Sequence, residues 1–275
     1  MNNSDDREQV DAIWRKTTVL DGIGGSPGVA VAPVLIVRPP VLDVPERRIA
    51  VSETETEWQR FEEARARTRQ QLQQLRTRLD ARARSGEAGI LDAHLMVLDD
   101  DVMSARVRTE IVENQHNAER AVRDVANHFV KQFLQLEDPY MKERADDISD
   151  VGRRMIRNLL GITDELPESW ETPCIIVAEN LTPSETIALP REKVLGFALD
   201  RGSTTSHAAL IARALEIPAV FGLRRITSIA NPGDTLGIDG SRGMVILNPG
   251  PRELKRLNGI AAARADAQRG LEHLR

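Results

Sequence analysis

The sequence predicts a mixed fold (α+β or α/β) in which a four-helix bundle is inserted into a strand-rich domain. Residues 52–161 show helical periodicity, and short β-branched runs bracketed by turn signals precede and follow them. The 275 residues, 41% of them hydrophobic, allow two compact units. We assign residues 1–21 to an extension or linker, and residues 22–50 plus 165–250 to an α/β subdomain. Residues 51–164 form a helical subdomain, and residues 251–275 form a connector helix.

Charge and cysteine content exclude several classes of protein. The formal net charge is -5, with acidic and basic residues interleaved, whereas a nucleic-acid surface needs a segregated basic stripe. The single cysteine, Cys174, cannot form an internal disulfide, and no apolar run near residue 1 resembles a signal peptide or membrane span. We therefore expect a cytoplasmic protein that binds neither nucleic acid nor membrane. Its negative net charge favours a basic partner protein.

The first predicted strand runs from Val29 to Val37 and is rich in β-branched residues. It is entered through a glycine-rich segment, residues 24–28, interpreted as a turn, and it ends before Pro39 and Pro40. Residues 1–21 are charged and lack sustained periodicity, so we interpret them as a tail. The strand needs a sheet to join.

Helical periodicity then predicts four helices, each with one apolar stripe. The first begins at Ser52 as N-cap, with Glu55 completing a capping box. The others are predicted at residues 88–114, with a break near Asp99, and at residues 118–136 and 140–160. Four helices with one apolar face each make a bundle.

The pattern changes to short strands after Pro167. One helix, Thr205–Glu216, interrupts them and is ended by Pro218, and a polar helix covers residues 252–275. The early strand would join this sheet, which makes the bundle an insertion. The predicted strands are Cys174–Ala178, Val194–Leu199, Ala219–Phe221, Thr235–Asp239 and Met244–Leu247.

Residues 200–213 carry the chemistry. A strand is followed by a loop of small residues, and a helix begins at His207 with Ser206 or Thr205 as its cap. Free N–H groups and the positive end of the helix dipole favour an anion beside His207, whose neutral ring nitrogen can attack phosphorus. Gly202 and its short neighbours let another active site approach. Spacing alone favours a simpler interpretation, a histidine at the start of a capped helix.

The resemblance of this segment to a known signature favours a phosphoryl acceptor over a simple histidine at the start of a capped helix. The pattern from Gly202 through Ser206, His207 and Ala212 to Arg213 is followed by Leu-Glu-Ile-Pro-Ala-Val-Phe-Gly. It is similar to the phosphohistidine signature shared by enzyme I of the bacterial phosphoenolpyruvate-dependent phosphotransferase system, phosphoenolpyruvate synthase and pyruvate phosphate dikinase. The signature implies a phosphorylated histidine at position 207.

Further segments narrow the resemblance to the amino-terminal half of enzyme I. Residues 181–186, Leu-Thr-Pro-Ser-Glu-Thr, resemble the family's segment ahead of the phosphohistidine, and residues 140–161 resemble a helix of its bundle. Residues 26–28 and 93–100 extend the likeness to roughly residues 22–260. The resemblance thus implies a swivelling phosphohistidine domain with an inserted helical subdomain.

The resemblance implies a mechanism in two parts. Phosphoenolpyruvate, held with Mg²⁺ in a carboxy-terminal barrel, phosphorylates His207, whose ring is oriented by Thr186; the carrier protein HPr, or a nitrogen-branch paralogue, then receives the group. We expect no cofactor or metal in this chain, no use of phosphoenolpyruvate without the carboxy-terminal domain, and phosphate exchange with HPr. The phosphate loop comprises Gly202, Ser203, Thr204, Thr205 and Ser206.

The loop departs from the family at two positions. The family usually has two glycines there and often a basic residue just before Thr-Ser-His, whereas this chain has Ser203 and Thr204, with Arg201 earlier. The amino-terminal extension favours a nitrogen-related branch, and the choice between sugar and nitrogen branches stays open.

The resemblance also implies an HPr-binding surface on the helical subdomain. The acidic residues have alternatives: Asp99 to Asp101 also suit a solvated turn or a metal. Arg144 also suits a plain surface charge, and Leu136 and Met141 suit the bundle core. The expected HPr-binding residues are Asp92, His94, Asp99, Asp100, Asp101, Leu136, Met141 and Arg144.

Two rivals stay open. One is the swivelling phosphohistidine domain of a phosphoenolpyruvate synthase or pyruvate phosphate dikinase, which shares the His207 loop but does not insert a bundle of this type. The other, from a different class, is a non-catalytic interaction module whose histidine motif is vestigial.

Overall fold

The computed structural model describes residues 16–38, 42–80, 88–162, 172–204 and 206–272. The strands are β1 (Thr18–Asp21), β2 (Ile23–Ser26), β3 (Val29–Ile36), β4 (Cys174–Ala178), β5 (Val194–Leu199), β6 (Ala219–Phe221), β7 (Thr235–Asp239) and β8 (Met244–Leu247). The helices are α1 (Thr54–Asp80), α2 (Ala88–Leu98), α3 (Asp101–Val112), α4 (Ala118–Leu134), α5 (Pro139–Leu160), α6 (Pro183–Ala188), α7 (His207–Ala214), α8 (Ile226–Ile229) and α9 (Pro251–Glu272). All strands predicted from Val29 onward are present.

The described residues form two compact units. The α/β unit takes in residues 16–38, 172–181, 189–204 and 206–272, and the helical unit takes in residues 42–80, 88–162 and 182–188. Helix α6 therefore groups with the bundle helices, although its sequence lies among the strands. No helix among the described residues is both long enough and apolar enough to cross a lipid bilayer.

The α/β unit contains an eight-stranded sheet among its described residues, in the order β1-β8-β7-β3-β4-β5-β6-β2. The strands from β3 to β6 pair in parallel, and the remaining pairs are antiparallel. Strand β4 is buried at all five residues, as expected for a parallel strand covered on both faces. The core includes Ile175, Val177, Ala198, Val220 and Ile238.

Strands β1 and β2 correct the sequence analysis. The sequence pattern predicts a tail at residues 18–21 and a turn at Gly24 to Ser26, yet both segments pair with strands of the sheet. Side chains of ordinary size do not fit this part of the sheet, because a Cβ on Gly25 would lie 1.8 Å from the ring of Phe221. The glycines that suggest a turn locally are therefore required by a partner almost 200 residues away.

The two ends of the sheet are joined through one residue. β1 and β2 stand at opposite ends of the strand order, and only Gly22 separates them along the chain. The N–H of Gly22 donates to the carbonyl of Gly243 at 2.7 Å. The chain therefore passes directly from one end of the strand order to the other.

The four predicted helical regions are present in the helical unit, and the second is broken as expected, into α2 and α3. The break lies at Asp99 and Asp100. Asp100 has an extended backbone, and its carboxylate accepts a hydrogen bond from the N–H of Met103 at 2.8 Å, which caps α3. Apolar residues of every bundle helix are buried, including Phe61, Leu91, Ile111, Val122 and Ile148.

The predicted start of the first helix is wrong by two residues. A 3-10 turn, Val51–Glu53, precedes α1, and Ser52 is not its cap. Instead the carboxylate of Glu53 accepts from the N–H of Ala50 at 2.7 Å. Glu53 reaches this N–H and Glu55 does not. The first helical turn is therefore the 3-10 turn capped at Ala50, two residues before the predicted cap Ser52.

Candidate functional site

The nucleophile predicted from the sequence stands at the first residue of α7. Ser206 precedes it with an extended backbone (φ -62°, ψ 151°), and its Oγ accepts from the N–H of Ala209 at 3.4 Å. The same hydroxyl donates to the carbonyl of Ser203 at 2.9 Å. Ser206 is thus the predicted N-cap, whereas Thr205, the other expected cap, lies outside the described residues.

The His207 side chain is half-buried rather than enclosed. Within the described part of the chain, no side chain hydrogen-bonds to its ring, and the N–H groups of His207 and Ala208 have no acceptor. One turn along the helix, Leu210 is 39% exposed. A ring nitrogen and free N–H groups at the positive end of a helix are what an incoming phosphoryl group requires.

Gly202 gives the phosphate loop its shape. Its φ is +105°, a conformation that side-chain-bearing residues rarely adopt. A Cβ at this position would lie 2.9 Å from a ring carbon of Phe221. Ser203 and Thr204 follow it and are exposed. The loop therefore presents short polar side chains to solvent and packs its glycine against the sheet.

Asp200 anchors the start of this loop, a role that the sequence analysis missed. It is 7% exposed, and its carboxylate accepts from the N–H of Ile226 at 2.6 Å and of Thr227 at 3.1 Å. The hydroxyl of Thr227 donates to it as well. The available signal was an acidic residue directly after a buried strand, but its partners, at the start of α8, lie 26 residues farther along the chain.

Thr186 lies on α6 in the helical unit and is 1% exposed. Its hydroxyl donates to the carbonyl of Thr182 at 2.8 Å, and its N–H bonds to the same carbonyl at 2.9 Å. Because its proton is already engaged, the Thr186 oxygen can act toward another group only as an acceptor. Its action on the ring of His207 stays a prediction.

His94, expected on the HPr-binding surface, is instead fully buried at 0% exposure. Its Nε2 lies 3.2 Å from Oδ1 of Asp147, and its Nδ1 lies 3.8 Å from Oδ2 of Asp150. The correction has a physical reason: two buried carboxylates on α5 draw the ring into the bundle. From this position it cannot touch a partner.

Four of the expected HPr-binding residues already have local roles. Asp92 pairs with Arg76 at 2.8 Å, and Asp99 pairs with Arg69. Asp100 caps α3, and Arg144 lies 3.3 Å from Asp147.

The other three differ in exposure. Asp101 is exposed at the start of α3, Leu136 is 48% exposed, and Met141 is half-buried. Sequence reasoning gave no separate role to Met96 on α2 or Val102 on α3, which are 68% and 60% exposed. Helical periodicity marks the buried stripe well, but it does not identify apolar residues that stay exposed.

Among the described residues, no group of three or more His, Cys, Asp or Glu side chains is arranged to hold a metal ion. Asp99 to Asp101, for which a metal was one alternative, engage in an ion pair, a helix cap and the first turn of α3.

Two family models and curated relatives match the sequence of this chain. The family descriptions "PEP-utilising enzyme, N-terminal" and "PEP-utilising enzyme, mobile domain" match residues 21–144 and 170–243. Phosphoenolpyruvate-protein phosphotransferase of Bacillus sp. (strain S) is 39% identical over 258 residues, 94% of this chain and 44% of the relative. That of Bacillus subtilis (strain 168) is 40% identical over 236 residues, 86% of this chain and 41% of the relative. The chain thus spans less than half the length of these curated relatives.

Solved structures agree as well. A solution structure of enzyme I is 34% identical and matches with a TM-score of 0.74 over 90% of this chain and 99% of its own. The N-terminal domain of the nitrogen enzyme 1 is 27% identical and matches with a TM-score of 0.58 over 88% of this chain and 99% of its own. These neighbours confirm the predicted fold class, an α/β domain with an inserted helical bundle. The chain therefore belongs to the family of enzyme I, the phosphoenolpyruvate-protein phosphotransferases, and matches the amino-terminal part of that family.

Proposed function

We propose that His207 carries a phosphoryl group from phosphoenolpyruvate to a histidine of HPr or of a nitrogen-branch paralogue. The described residues supply the phosphohistidine and the surface that binds the carrier. One observation carries the proposal: the His207 ring is half-buried directly after a capping serine, beside N–H groups that have no acceptor among the described residues. This arrangement suits a nucleophile that must hold an anion for a short time.

The chemistry is an in-line displacement. A nitrogen of the neutral ring attacks phosphorus, the N–P bond forms, and the bond from phosphorus to the enolate oxygen of pyruvate breaks. The N–H groups of the first turn of α7 stabilise the charge on the phosphoryl oxygens. In the second transfer a ring nitrogen of HPr attacks the same phosphorus, and the N–P bond to His207 breaks. Thr186, as an acceptor, would hold the other ring nitrogen in its N–H form.

Use of phosphoenolpyruvate requires a further domain. In the family, phosphoenolpyruvate is bound with Mg²⁺ in a carboxy-terminal domain, and this chain covers only 44% and 41% of two curated relatives. We therefore expect these 275 residues to take phosphate from phosphorylated HPr and not from phosphoenolpyruvate directly.

The direct test is to mix the chain with phosphorylated HPr and follow its intact mass. We expect a gain of about 80 Da, one phosphoryl group, which is labile in acid. His207→Ala should show no gain, whereas His128→Ala should behave like the parent, because His128 is exposed on α4, where its ring contacts Arg106 and Phe129. A parent chain that stays unlabelled would contradict the proposal and favour the interaction module.

We further propose that the exposed apolar and acidic residues of the bundle form the HPr-binding surface. Asp101 tests this best, because it is exposed and has no ion pair among the described residues, whereas Asp99 and Asp100 hold Arg69 and the start of α3. Asp101→Lys should weaken HPr binding about tenfold or more, since a rim charge of the wrong sign repels a basic partner. Glu113→Lys, at the opposite end of α3, is the matched control and should bind normally.

Titration calorimetry with unphosphorylated HPr tests the rival swivelling domain. Such a domain would accept phosphate from a donor other than HPr, so neither the parent nor either variant would give heat with HPr.

A further inference from the structure

Arg213 ties the phosphate loop to the edge of the sheet. It lies in the last turn of α7, and its Nη1 donates to the carbonyl of Gly25 at 2.7 Å. Its Nη2 donates to the carbonyl of Thr204 at 2.9 Å. One guanidinium therefore holds a residue of β2 and a residue of the phosphate loop at a fixed separation.

The anchor at Gly25 is rigid. Gly25 is buried in β2, and a Cβ there would collide with the ring of Phe221, which is itself 0% exposed. The same ring supports Gly202 at the other end of the loop. Phe221 thus fixes both the anchor and the first residue of the loop, and Arg213 extends this support to Thr204.

Two hydrogen bonds between Ser206 and Ser203 close part of the loop without involving Thr204. The carbonyl of Ser203 accepts from the hydroxyl of Ser206 at 2.9 Å and from its N–H at 3.3 Å. Ser203 and Thr204 are both exposed. The bond from Arg213 restrains the exposed Thr204 against the sheet.

The charge of Arg213 is also not neutralised. Both of its acceptors are uncharged carbonyls, and it forms no ion pair with any residue that the structure describes. A planar fork that binds two carbonyls keeps its full positive charge beside the loop. An incoming phosphoryl group would meet this charge without any carboxylate having to leave first.

We propose that Arg213 is a positioning residue for phosphoryl transfer: it holds the phosphate loop in the form that presents His207. The inference rests on the proposed function of His207. It goes further, because Arg213, by holding Thr204, would determine the geometry in which the incoming phosphorus meets His207. Small displacements of such groups slow transfer strongly, whereas binding of HPr to the helical unit does not depend on them.

The chain offers a matched control. Arg191 also donates to two carbonyls in the α/β unit, with its Nε 2.8 Å from the oxygen of Leu215 and its Nη1 3.4 Å from that of Val194. It holds the far end of α7, away from the loop. Arg213→Met and Arg191→Met therefore each remove bonds to two carbonyls, but only Arg213→Met removes a bond to the phosphate loop.

The test measures phosphate uptake from phosphorylated HPr by rapid quench, over a range of HPr concentrations. We expect the maximal rate of Arg213→Met to fall about tenfold below that of Arg191→Met, with an unchanged KM for HPr. Arg213→Lys should be intermediate, because lysine keeps the charge and loses the fork. Equal maximal rates for the two methionine variants, whether reduced or not, would overturn the proposal.

A second measurement does not depend on transfer. In two-dimensional NMR spectra, Arg213→Met should shift or broaden the amide signals of Gly202, Ser203 and Ser206 and the ring signals of His207, while Arg191→Met leaves them in place. If the parent takes up no phosphate, the proposed function fails, and these spectra still test whether Arg213 holds the loop. Unchanged loop signals in Arg213→Met would sink the inference.

Discussion

His94 and Asp147 form a buried pair inside the helical unit, with His94 Nε2 3.2 Å from Asp147 Oδ1 and side-chain exposures of 0% and 4%. Asp150 lies on the other side of the ring, 3.8 Å from Nδ1, and none of the residues that the structure describes hydrogen-bonds to Nδ1. Helices α2 and α5 therefore share a buried polar contact. Removal of one partner from such a group costs more than the contact itself contributes.

His94→Ala should lower the free energy of unfolding by about 3 kcal/mol, because Asp147 and Asp150 would stay buried without the ring between them. Urea denaturation followed by circular dichroism measures this. His116→Ala is the control: its ring is half-buried and pairs with Glu110 at 2.9 Å near the surface, so we expect a loss below about 1 kcal/mol. Equal losses in the two variants would contradict the prediction.

Ser184→Ala should lower the free energy of unfolding and increase local opening of α6. The Ser184 hydroxyl lies 2.8 and 3.0 Å from the two carboxylate oxygens of Asp150, and the residue is 0% exposed. Its loss leaves a buried carboxylate short of a donor, at a cost of about 1 to 3 kcal/mol. Hydrogen exchange of the Thr186 N–H, which bonds to the Thr182 carbonyl, should become faster. Ser228→Ala removes an exposed hydroxyl bond on α8 and should change neither quantity.

Gly202→Ala should both destabilise the chain and slow phosphate uptake. The backbone is held at φ +105°, and the new Cβ would press on the buried Phe221 ring, so we expect a loss of about 1 to 3 kcal/mol. Gly259→Ala, on α9 with nothing within 4 Å of a new Cβ, should be neutral or slightly stabilising. Thermal unfolding and the phosphate-uptake assay would detect both effects; wild-type behaviour of Gly202→Ala would show that the loop tolerates another backbone conformation.

Cys174 should make stability fall at alkaline pH. Burial raises the pKa of its thiol from 9.0 to about 11. Between these values the unfolded chain has lost the thiol proton and the folded chain has kept it, so a rise in pH favours unfolding by up to about 1.4 kcal/mol per pH unit.

The comparison with Cys174→Ala isolates this contribution. The variant should lose stability less steeply than the parent when urea denaturation is repeated across that pH range. Identical slopes would mean that the thiol ionises equally easily in both states. Alkylation of the parent at pH 8 should likewise be slow in the folded chain and fast in urea.

The sequence predicts those parts of the fold whose signals are local. Strands such as Cys174–Ala178 are continuous apolar runs between turn residues, and the capping role of Ser206 follows from its place before an apolar-periodic segment. The long helices follow from their periodicity for the same reason.

What the sequence does not predict depends on partners far along the chain. β2 is a strand because it pairs with β6, beside which Phe221 leaves no room for a side chain at Gly25, and Asp200 is an anchor because α8 offers it N–H groups. His94 is buried because α5 places two carboxylates around it. In each case the residue type is compatible with a surface position, and only tertiary pairing decides otherwise.

The junction at Gly22 determines where the chain can be shortened. If it began at residue 22, β8 would lose its antiparallel neighbour, and the row of main-chain donors and acceptors from Met244 to Leu247 would lie open to a second molecule. Self-association by strand addition is the expected result. The four residues of β1, which look like part of a tail in the sequence, therefore cover one edge of β8.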